Sequence, residues 1–438
     1  MQQLELPTEE QAQNRDALIP QTLRGSVSPW WKTEWGAAMG AALFAFGVSR
    51  LVAGLAAWAG IWTLVSGDPT RGKGLLVEGA LMWDSAWYWQ VTTQGYFAWN
   101  PQTGSDLAFC PLYPALLRLG LAALAGLGIH LGDPVYGNYV AVGLAISNLC
   151  FFAALVLLWR LVRQDHSARV ADRLLLLLAI FPAGLFWSAI YTESLFLLLV
   201  VGTFVAMRRG WWAGAAMLAG LAAVTRWAGL VLGAVLLVEY LTQAAPPGAA
   251  WRARLRGALR PRGLWLALMP VPFLAFLAYL HGRFGDAFVF LSVEHQGWGH
   301  SSALPPVTWW NGLSLLVQSW GTTRPASDEV LYLGGGQRIY QYQDLGFSLL
   351  FAGLAAWAAL RRQLRPAEWT WLALGLLFPF SQGSTLGVTR YLLPLWPAFL
   401  LAARLLDGRP RLERACLILS TGLLAVTAFL WASGHWMA

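Results

Sequence analysis

Acidic and aromatic residues that suit acid–base chemistry on a sugar stand close together near one-fifth of the way along the chain. Asp84 lies between Trp83, Trp87 and Tyr88. At three- and four-residue spacing these aromatic residues would share neighbouring faces of a helix. A carboxylate there can take the proton from a hydroxyl group as a general base, while the aromatic surfaces pack on a sugar ring. A simpler interpretation also fits, in which Asp84 is a helix N-cap with interfacial tryptophans behind it.

Three more charged residues border apolar runs, where an isolated charge is unexpected. Glu193 follows Tyr191 at the end of one run, and Arg226 and Arg390 each begin another. An unpaired carboxylate in hydrocarbon is unfavourable, so Glu193 needs a partner or water. A guanidinium at the same depth can bind a phosphate through paired donors and stabilise a phosphate leaving group. An ion pair of Glu193 with either arginine that serves only the fold explains the same residues, and the two roles can coexist.

Arg50 and two histidines are weaker candidates. Arg50 lies about half-way along the first apolar run, where translocon scales assign a charged residue a cost of roughly 2.5–3.5 kcal/mol. A phosphate contact or a packing partner would each compensate that cost. His295 and His300 have a spacing that fits no strong metal-binding template. We therefore expect neither a divalent metal nor a cofactor.

The composition places these residues in a membrane protein. Hydrophobic residues make up 57% of the 438 positions and charged residues 12%, against about 45–50% and about 25% in soluble domains. The net charge of +8 would suit a nucleic-acid partner, but the arginines lie in short clusters between apolar runs, where they orient membrane spans. We expect the lipid bilayer as a partner and no nucleic acid. The absence of a Walker loop, a GxSxG elbow and an HExxH motif leaves ATP-driven transport, serine hydrolysis and zincin chemistry without support.

The apolar runs are numerous enough for a polytopic protein, since a helix rises about 1.5 Å per residue and the hydrocarbon core is about 30 Å thick. Candidate spans lie at about 36–66, 136–160, 174–190, 193–207, 211–225, 227–242, 264–281, 345–360, 367–381, 391–406 and 413–433. A further apolar segment at about 112–130 is ambiguous. The sequence therefore predicts an all-α polytopic membrane protein with about 11–12 transmembrane helices. We expect residues 1–34 to form a cytoplasmic N-terminal tail and residues 35–438 to form one transmembrane domain.

Arginine clusters set the predicted orientation, because arginine-rich short loops stay on the cytoplasmic side. The clusters are Arg160/Arg163/Arg169/Arg173, Arg208/Arg209, Arg252/Arg254/Arg256/Arg260/Arg262, Arg361/Arg362/Arg365 and Arg409/Arg411/Arg414. If the first run starts inside, all of them fall on the cytoplasmic side, provided that residues 112–130 enter and leave on the outer side. Two long loops, at about 67–111 and 282–344, then lie outside. The polar motifs converge on that outer face.

The order of these motifs is itself informative. They are Trp83-Asp84, Gly95-Tyr96, Ala108 to Pro114, Phe181-Pro182, Tyr191 to Ser194, Thr225-Arg226 and Thr389-Arg390-Tyr391. The ordered set resembles the PIG-V family, which holds the second mannosyltransferase of GPI-anchor assembly and its prokaryotic relatives. The resemblance runs from about residue 45 to 400. It implies the GT-C fold of membrane glycosyltransferases, with a long first outer loop that bears juxtamembrane helices.

The same resemblance implies an inverting transfer of a sugar, expected to be mannose, from a polyprenyl-phosphate donor to a glycan, glycolipid or protein acceptor. An acidic residue of the first outer loop is the usual catalytic position in that fold, and Asp84 matches it. By physical argument, we expect the donor phosphate to contact Arg226, Arg390 and Arg50. The residues expected to contact the sugar or the acceptor are Trp83, Trp87, Tyr88, Tyr113, Tyr191 and Glu193. The alanine-, arginine- and tryptophan-rich composition suggests a bacterial inner (plasma) membrane, with the active site on its outer face.

Two rival functions fit an apolar chain with intramembrane charges. A multi-span transporter or flippase of a lipid-linked sugar would explain the charges, but it predicts pseudo-symmetric halves, and none is evident in the sequence. A catalytically silent scaffold that binds a lipid-linked sugar is the other rival.

Overall fold

The computed structural model describes residues 34–66, 80–98, 100, 104–246, 248, 250–298, 302–319 and 335–435. Its α-helices are α1 (Trp35–Ser66), α2 (Asp84–Gln94), α3 (Leu112–Gly126), α4 (Gly137–Val162), α5 (Ala168–Ala179), α6 (Glu193–Arg208), α7 (Trp212–Ala223), α8 (Leu232–Gln243), α9 (Trp251–Ala258), α10 (Val271–Phe284), α11 (Val289–Trp298), α12 (Pro305–Ser319), α13 (Gly335–Arg361), α14 (Pro366–Phe380), α15 (Val388–Leu392), α16 (Trp396–Leu405) and α17 (Pro410–Ala432). Short 3₁₀ segments lie at Pro182–Trp187, Trp227–Val231 and Pro261–Leu268.

The predicted apolar runs correspond to helices, several of them broken. Among the residues described, the helices long and apolar enough to cross a membrane are Trp35–Thr63, Gly137–Val162, Pro261–Phe284, Tyr340–Arg361 and Pro410–Ala432. The run 174–190 instead divides into α5 and a 3₁₀ turn that starts at Pro182, because proline has no N–H to continue the helical hydrogen bonds. The prediction of an all-α polytopic membrane protein is confirmed.

Helices α1 and α4 lie antiparallel. Glu34, just before α1, accepts a hydrogen bond from Arg163, just after α4, at 2.7 Å. Further along α1, the ring of Phe46 lies 6.0 Å from that of Phe151. Residue numbers therefore rise along α1 as they fall along α4. The end of α1 and the start of α4 lie at the same end of the bundle.

The two ends of helix α6 serve to name the two ends of the bundle. The helix begins at Glu193 and ends at Arg208, a length of about 24 Å at about 1.5 Å per residue. We call these the Glu193 end and the Arg208 end. Arg208 bonds Asp165, which lies just beyond the end of α4, at 2.9 Å. Helix α4 therefore starts at the Glu193 end, and so α1 finishes there.

The arginine clusters of the sequence gather at the Arg208 end. The contacts that place them there are Arg208–Asp165 (2.9 Å), Arg365–Asp165, Arg173–Glu413 (2.7 Å) and the bond from Gln243 at the end of α8 to the backbone oxygen of Met207 (3.1 Å). This common location is what the orientation rule requires. The side of the membrane that the Arg208 end faces stays a prediction.

The ambiguous segment 112–130 forms α3 and returns to the end from which it starts. The N–H of Leu112 donates to the backbone oxygen of Val224 at 3.0 Å, just beyond α7, which runs from the Arg208 end to the Glu193 end. At the other end of the segment, Asn138 in the first turn of α4 donates to the oxygen of Ile129 at 2.9 Å. Both ends of the segment therefore lie in the Glu193 half of the bundle, as the predicted orientation requires.

The two predicted outer loops contain helices. Helix α2 lies within 67–111, whereas α11 and α12 lie within 282–344. Helix α13 begins at Gly335, ahead of the predicted start at 345, so Asp344 belongs to a helix and not to a loop. Residues 1–33, which make up nearly all of the predicted tail, lie outside the described residues.

Candidate active site

Four charged side chains meet at the Glu193 end, each at or beside a helix terminus. Asp84 is the first residue of α2, and Glu193 is the first residue of α6. Arg226 is the extended residue that precedes the 3₁₀ segment Trp227–Val231. Arg390 lies in the five-residue helix α15. The chain changes direction at such termini, so side chains from distant segments face a common space.

A strained backbone and a buried tyrosine hold Asp84 in place. Trp83 has a φ of 57° and a ψ of −120°, a conformation that residues other than glycine rarely adopt. The backbone N–H of Asp84 donates to the hydroxyl of Tyr191 at 3.1 Å, and that hydroxyl donates to the oxygen of Met82 at 3.3 Å. Backbone strain of this kind concentrates at functional sites. The turn at Trp83 thus fixes the direction in which Asp84 leaves the chain.

Arg390 joins the two acids. Its Nη1 donates to Oδ2 of Asp84 at 2.6 Å, and its Nε donates to Oε1 of Glu193. The guanidinium carbon lies 4.6 Å from the ring centroid of Tyr191 and 5.2 Å from that of Phe186, so two aromatic faces support the cation. Exposure is 11% for the Arg390 side chain and 1% for that of Glu193. These charges are therefore stabilised mainly by one another.

Arg226 completes the cluster on the other side of Glu193. Its Nη1 donates to the same oxygen, Oε1 of Glu193, at 2.5 Å and to Oγ1 of Thr192 at 3.1 Å. The ring centroid of Tyr391 lies 4.9 Å from its guanidinium carbon. Because one carboxylate oxygen contacts both guanidinium groups, Arg226 and Arg390 lie near enough to each other for a single anion to bind both.

Several polar atoms of this cluster make no hydrogen bond within the described part of the protein. Oε2 of Glu193 is buried and has no donor. Arg226 commits only Nη1, and Arg390 commits only Nε and Nη1. Oδ1 of Asp84 likewise has no donor, and the Asp84 side chain is 16% exposed. Buried polar groups such as Oε2 are nearly always paired in native proteins. This atom and the uncommitted guanidinium donors therefore mark the cluster as a candidate ligand site.

The aromatic residues predicted to surround Asp84 form a packed layer. Tyr88 packs edge-to-face on Phe109 and Tyr113, with centroids 5.0 and 5.2 Å away. The hydroxyl of Tyr113 lies 3.1 Å from Oγ of Ser147. Trp87 stacks on Phe109 at 6.1 Å. These contacts anchor α2 to α3 and thereby support Asp84 from behind.

Three of the residues predicted to contact the sugar are buried in this structure and pack behind the site. Tyr113 and Tyr191 are fully buried, and Tyr88 is 4% exposed, so their rings offer no open face to a sugar. Trp83 and Trp87 are only partly buried. The predicted contact with the sugar or acceptor stays a prediction for all of these residues and for Glu193, and the two tryptophans are the ones with exposed ring surface.

Arg50 lies apart from the other two arginines. Its Nη2 donates to the backbone oxygen of Gly184 at 2.7 Å, its Nε to Oγ of Ser49 at 3.3 Å and its Nη1 to Oγ of Ser188. Each of the three guanidinium nitrogens thus donates a hydrogen bond, either to α1 or to the 3₁₀ segment Pro182–Trp187 and the serine that follows it. The structure thus shows packing partners for Arg50, and contact of Arg50 with the donor phosphate stays a prediction.

The sequence did not single out two contacts of the site. Thr192 lies in the motif with Glu193, so a signal for it existed. Phe186, under Arg390, is one aromatic residue within an apolar run and carries no signal. His300 lies outside the described residues, so the histidine pair cannot be placed. Among the residues described, no group of three His, Cys, Asp or Glu side chains is arranged to hold a metal.

A model of a known protein family matches part of the chain. Residues 71–286, just under half of its length, match the family model described as mannosyltransferase (PIG-V). The matched segment contains Asp84, Glu193 and Arg226, whereas Arg390 lies beyond it. The family resemblance predicted from the ordered motifs is confirmed over this segment. No curated protein matches the chain.

Solved structures share a distant likeness with this fold. The Archaeoglobus fulgidus oligosaccharyltransferase in complex with Zn and sulfate is 13% identical, with a TM-score of 0.43 and coverage of 90% of this chain and 53% of that chain. ArnT from Cupriavidus metallidurans in the apo state is 15% identical, with a TM-score of 0.44 and coverage of 83% and 71%. This chain thus spans about half the length of the archaeal protein.

Proposed function

We propose that this chain moves mannose from a polyprenyl-phosphate donor to an acceptor hydroxyl. The match of residues 71–286 to the family model described as mannosyltransferase (PIG-V) supports the proposal. The observation that carries the proposal is the set of uncommitted polar atoms around Arg390. That residue contacts Asp84 at 2.6 Å and shares Glu193 with Arg226. The candidate base thus contacts one candidate phosphate ligand, Arg390, directly, and Glu193 joins Arg390 to the other, Arg226.

Arg226 and Arg390 hold the donor phosphate in this proposal. Their shared contact with Oε1 of Glu193 brings both within reach of one anion. With Asp84 included, two cations and two anions cancel in formal charge. Directed donors, and not net charge, therefore bind the phosphate, and guanidinium groups suit that geometry. Glu193 sets the direction in which the free donors point.

The transfer itself needs one base and one stabilised leaving group. The proton of the acceptor hydroxyl passes to Oδ1 of Asp84, and the acceptor oxygen forms a bond with the anomeric carbon. The bond from that carbon to the phosphate oxygen breaks, and its electron pair leaves with the lipid phosphate. Arg226 and Arg390 stabilise the charge that develops there. Attack from the side opposite to the phosphate inverts the configuration.

The proposed site opens on the non-cytoplasmic face. The arginine clusters lie at the Arg208 end, and arginine-rich loops remain cytoplasmic. The charge cluster at the Glu193 end then faces outward, where we place a glycan, glycolipid or protein acceptor. The composition supports the inner membrane of a bacterium as the location.

A reconstituted assay tests the proposal. Purified protein in proteoliposomes is incubated with polyprenyl-phosphate mannose labelled in the sugar and with a panel of glycan, glycolipid and peptide acceptors. Label in an acceptor supports the transferase. Movement of intact labelled donor across the bilayer without transfer contradicts it and supports a flippase, and donor binding without either event supports a silent scaffold.

A further inference from the structure

Asp344 is a buried carboxylate that the proposed transfer does not use. It lies in α13 and is 0% exposed. Its Oδ2 accepts from the backbone N–H of Gly387 at 2.9 Å, and its Oδ1 accepts from that of Thr389 at 2.7 Å. Both oxygens thus bind the turn that leads into α15.

The turn that Asp344 binds has little intrinsic stability. Gly387 has a φ of 76°, in the left-handed region that favours glycine. Helix α15 has only five residues, and isolated helices far longer than this are marginal in water. The start of α15 must therefore be fixed by a group from another element. Asp344 supplies that group with both of its oxygens.

Arg390 depends on this turn for its position. It follows Thr389 directly, and its guanidinium must meet Asp84 from one atom and Glu193 from another. A misplacement of about 1 Å in such a site can reduce a rate about 100-fold. Loss of the turn would move Arg390 away from both acids at once.

We infer that Asp344 is a positioning residue for sugar transfer: by fixing the turn from Gly387 to Thr389, it sets Arg390 against Asp84 and Glu193. The inference rests on the proposed function, because that function makes Arg390 a contact of the donor phosphate. Asp344 acts only through Arg390 and does not touch the reacting atoms.

The test is Asp344→Asn, assayed with labelled polyprenyl-phosphate mannose in proteoliposomes. An amide keeps one acceptor oxygen, but it places an NH₂ group against one of the two backbone N–H groups. We expect kcat/KM to fall about 100-fold, with a higher donor KM and a lower kcat. Gln343 is the matched control, because it is buried on the same helix and bonds Thr427 of α17 at 3.2 Å. Gln343→Leu is expected to lower the Tm as much while the folded protein keeps its kcat/KM.

A second variant guards against a simple folding defect. Gly387→Ala leaves Asp344 intact but strains the same turn, so it is expected to reproduce the rise in KM and the fall in kcat. An unchanged kcat/KM in Asp344→Asn would overturn the inference. Equal losses of kcat/KM in Asp344→Asn and Gln343→Leu would also overturn it, since they would show a purely structural role. Wild-type protein that transfers no sugar in the same assay would instead contradict the proposed function.

Discussion

Each end of α6 carries a cluster of ion pairs between arginines and acidic residues. The two clusters differ in whether their carboxylate oxygens all have hydrogen-bond partners. At the Arg208 end, Arg208 donates to Oδ2 of Asp165 at 2.9 Å and to Oε1 of Glu368 at 2.7 Å. Arg365 satisfies the two remaining oxygens, with its side chain on Oδ1 of Asp165 and its backbone N–H on Oε2 of Glu368 at 3.1 Å. Every carboxylate oxygen of Asp165 and Glu368 therefore has a partner.

The cluster at the Glu193 end contains polar atoms without a hydrogen-bond partner among the described residues. Oε2 of Glu193, Oδ1 of Asp84 and guanidinium donors of Arg226 and Arg390 make no bond within the described residues. A satisfied network stabilises one structure, whereas an unmade bond to a buried group costs stability unless a ligand completes it. Buried charge is thus common to both ends. What distinguishes the candidate active site from the Asp165–Glu368 cluster is the set of atoms left without partners.

The largest expected effect is a loss of turnover when the acidic residue Asp84 at the Glu193 end is neutralised. Asp84→Asn removes the proton acceptor, so we expect turnover per folded molecule to fall about 10²–10⁴-fold, with a lower Tm from the weakened pair with Arg390. Asp165→Asn at the Arg208 end is the matched control, and its folded fraction is expected to keep wild-type turnover. Transfer assays on both purified variants measure this. An Asp84→Asn protein that still transfers sugar at the wild-type rate would break the comparison.

The next effect concerns stability at the Arg208 end. The side chains of Arg208 and Glu368 are 6% and 7% exposed, and removal of one member of a buried ion pair destabilises by about 3–5 kcal/mol. Arg208→Met is therefore expected to lower the free energy of unfolding by about that amount, with turnover per folded molecule unchanged. The double variant Arg208→Met, Glu368→Leu is expected to recover part of the loss. An Arg208→Met protein that keeps its stability but loses turnover would contradict the structural role assigned to the Arg208 end.

The smallest effect is a pH dependence of stability at the Arg208 end. Burial, with nearby Arg404, lowers the pKa of His166 from 6.5 to about 4. Burial would raise the pKa of Asp165, but Arg208 and Arg365 outweigh it and hold that pKa below 3.8. At His166 and Asp165 the folded state therefore binds fewer protons than the unfolded state does, so the contribution of these two groups to stability falls as the pH drops.

Thermal unfolding at a series of pH values measures this dependence. The contribution of His166 is present above pH 6.5 and is lost as the pH falls toward 4, and that of Asp165 is lost below pH 3.8. His166→Gln is expected to flatten the Tm profile between pH 6.5 and 4. A profile unchanged by that substitution would contradict the assignment.

The charged residues of the site could be found from the sequence because each stands out against apolar surroundings. Asp84, Glu193, Arg226 and Arg390 were all predicted as site residues, and the structure brings them together. Their pairing could not be predicted, since Arg390 bonds acids that lie 306 and 197 residues away in the chain. Only the fold decides which charges meet.

Other contacts carry no signal in the sequence. Arg50 looked equivalent to the other intramembrane arginines, yet its partners are a backbone oxygen and two hydroxyl groups, which no charge pattern reveals. Asp344 lies just before the predicted run 345–360 and looked like a loop residue. Its partners are backbone N–H groups, so sequence reasoning had no complementary side chain to find.

The most direct test of the central claim is a binding titration that compares polyprenyl phosphate with the uncharged polyprenyl alcohol. We predict that wild-type protein prefers the phosphate and that Arg226→Gln loses this preference, with a loss of about 1.5–3 kcal/mol for hydrogen bonds to a charged group. Arg208→Gln, the matched change at the Asp165–Glu368 cluster, is predicted to keep the wild-type preference. Equal phosphate preference in Arg226→Gln and wild-type protein would contradict the claim that the uncommitted donors at the Glu193 end bind the donor lipid.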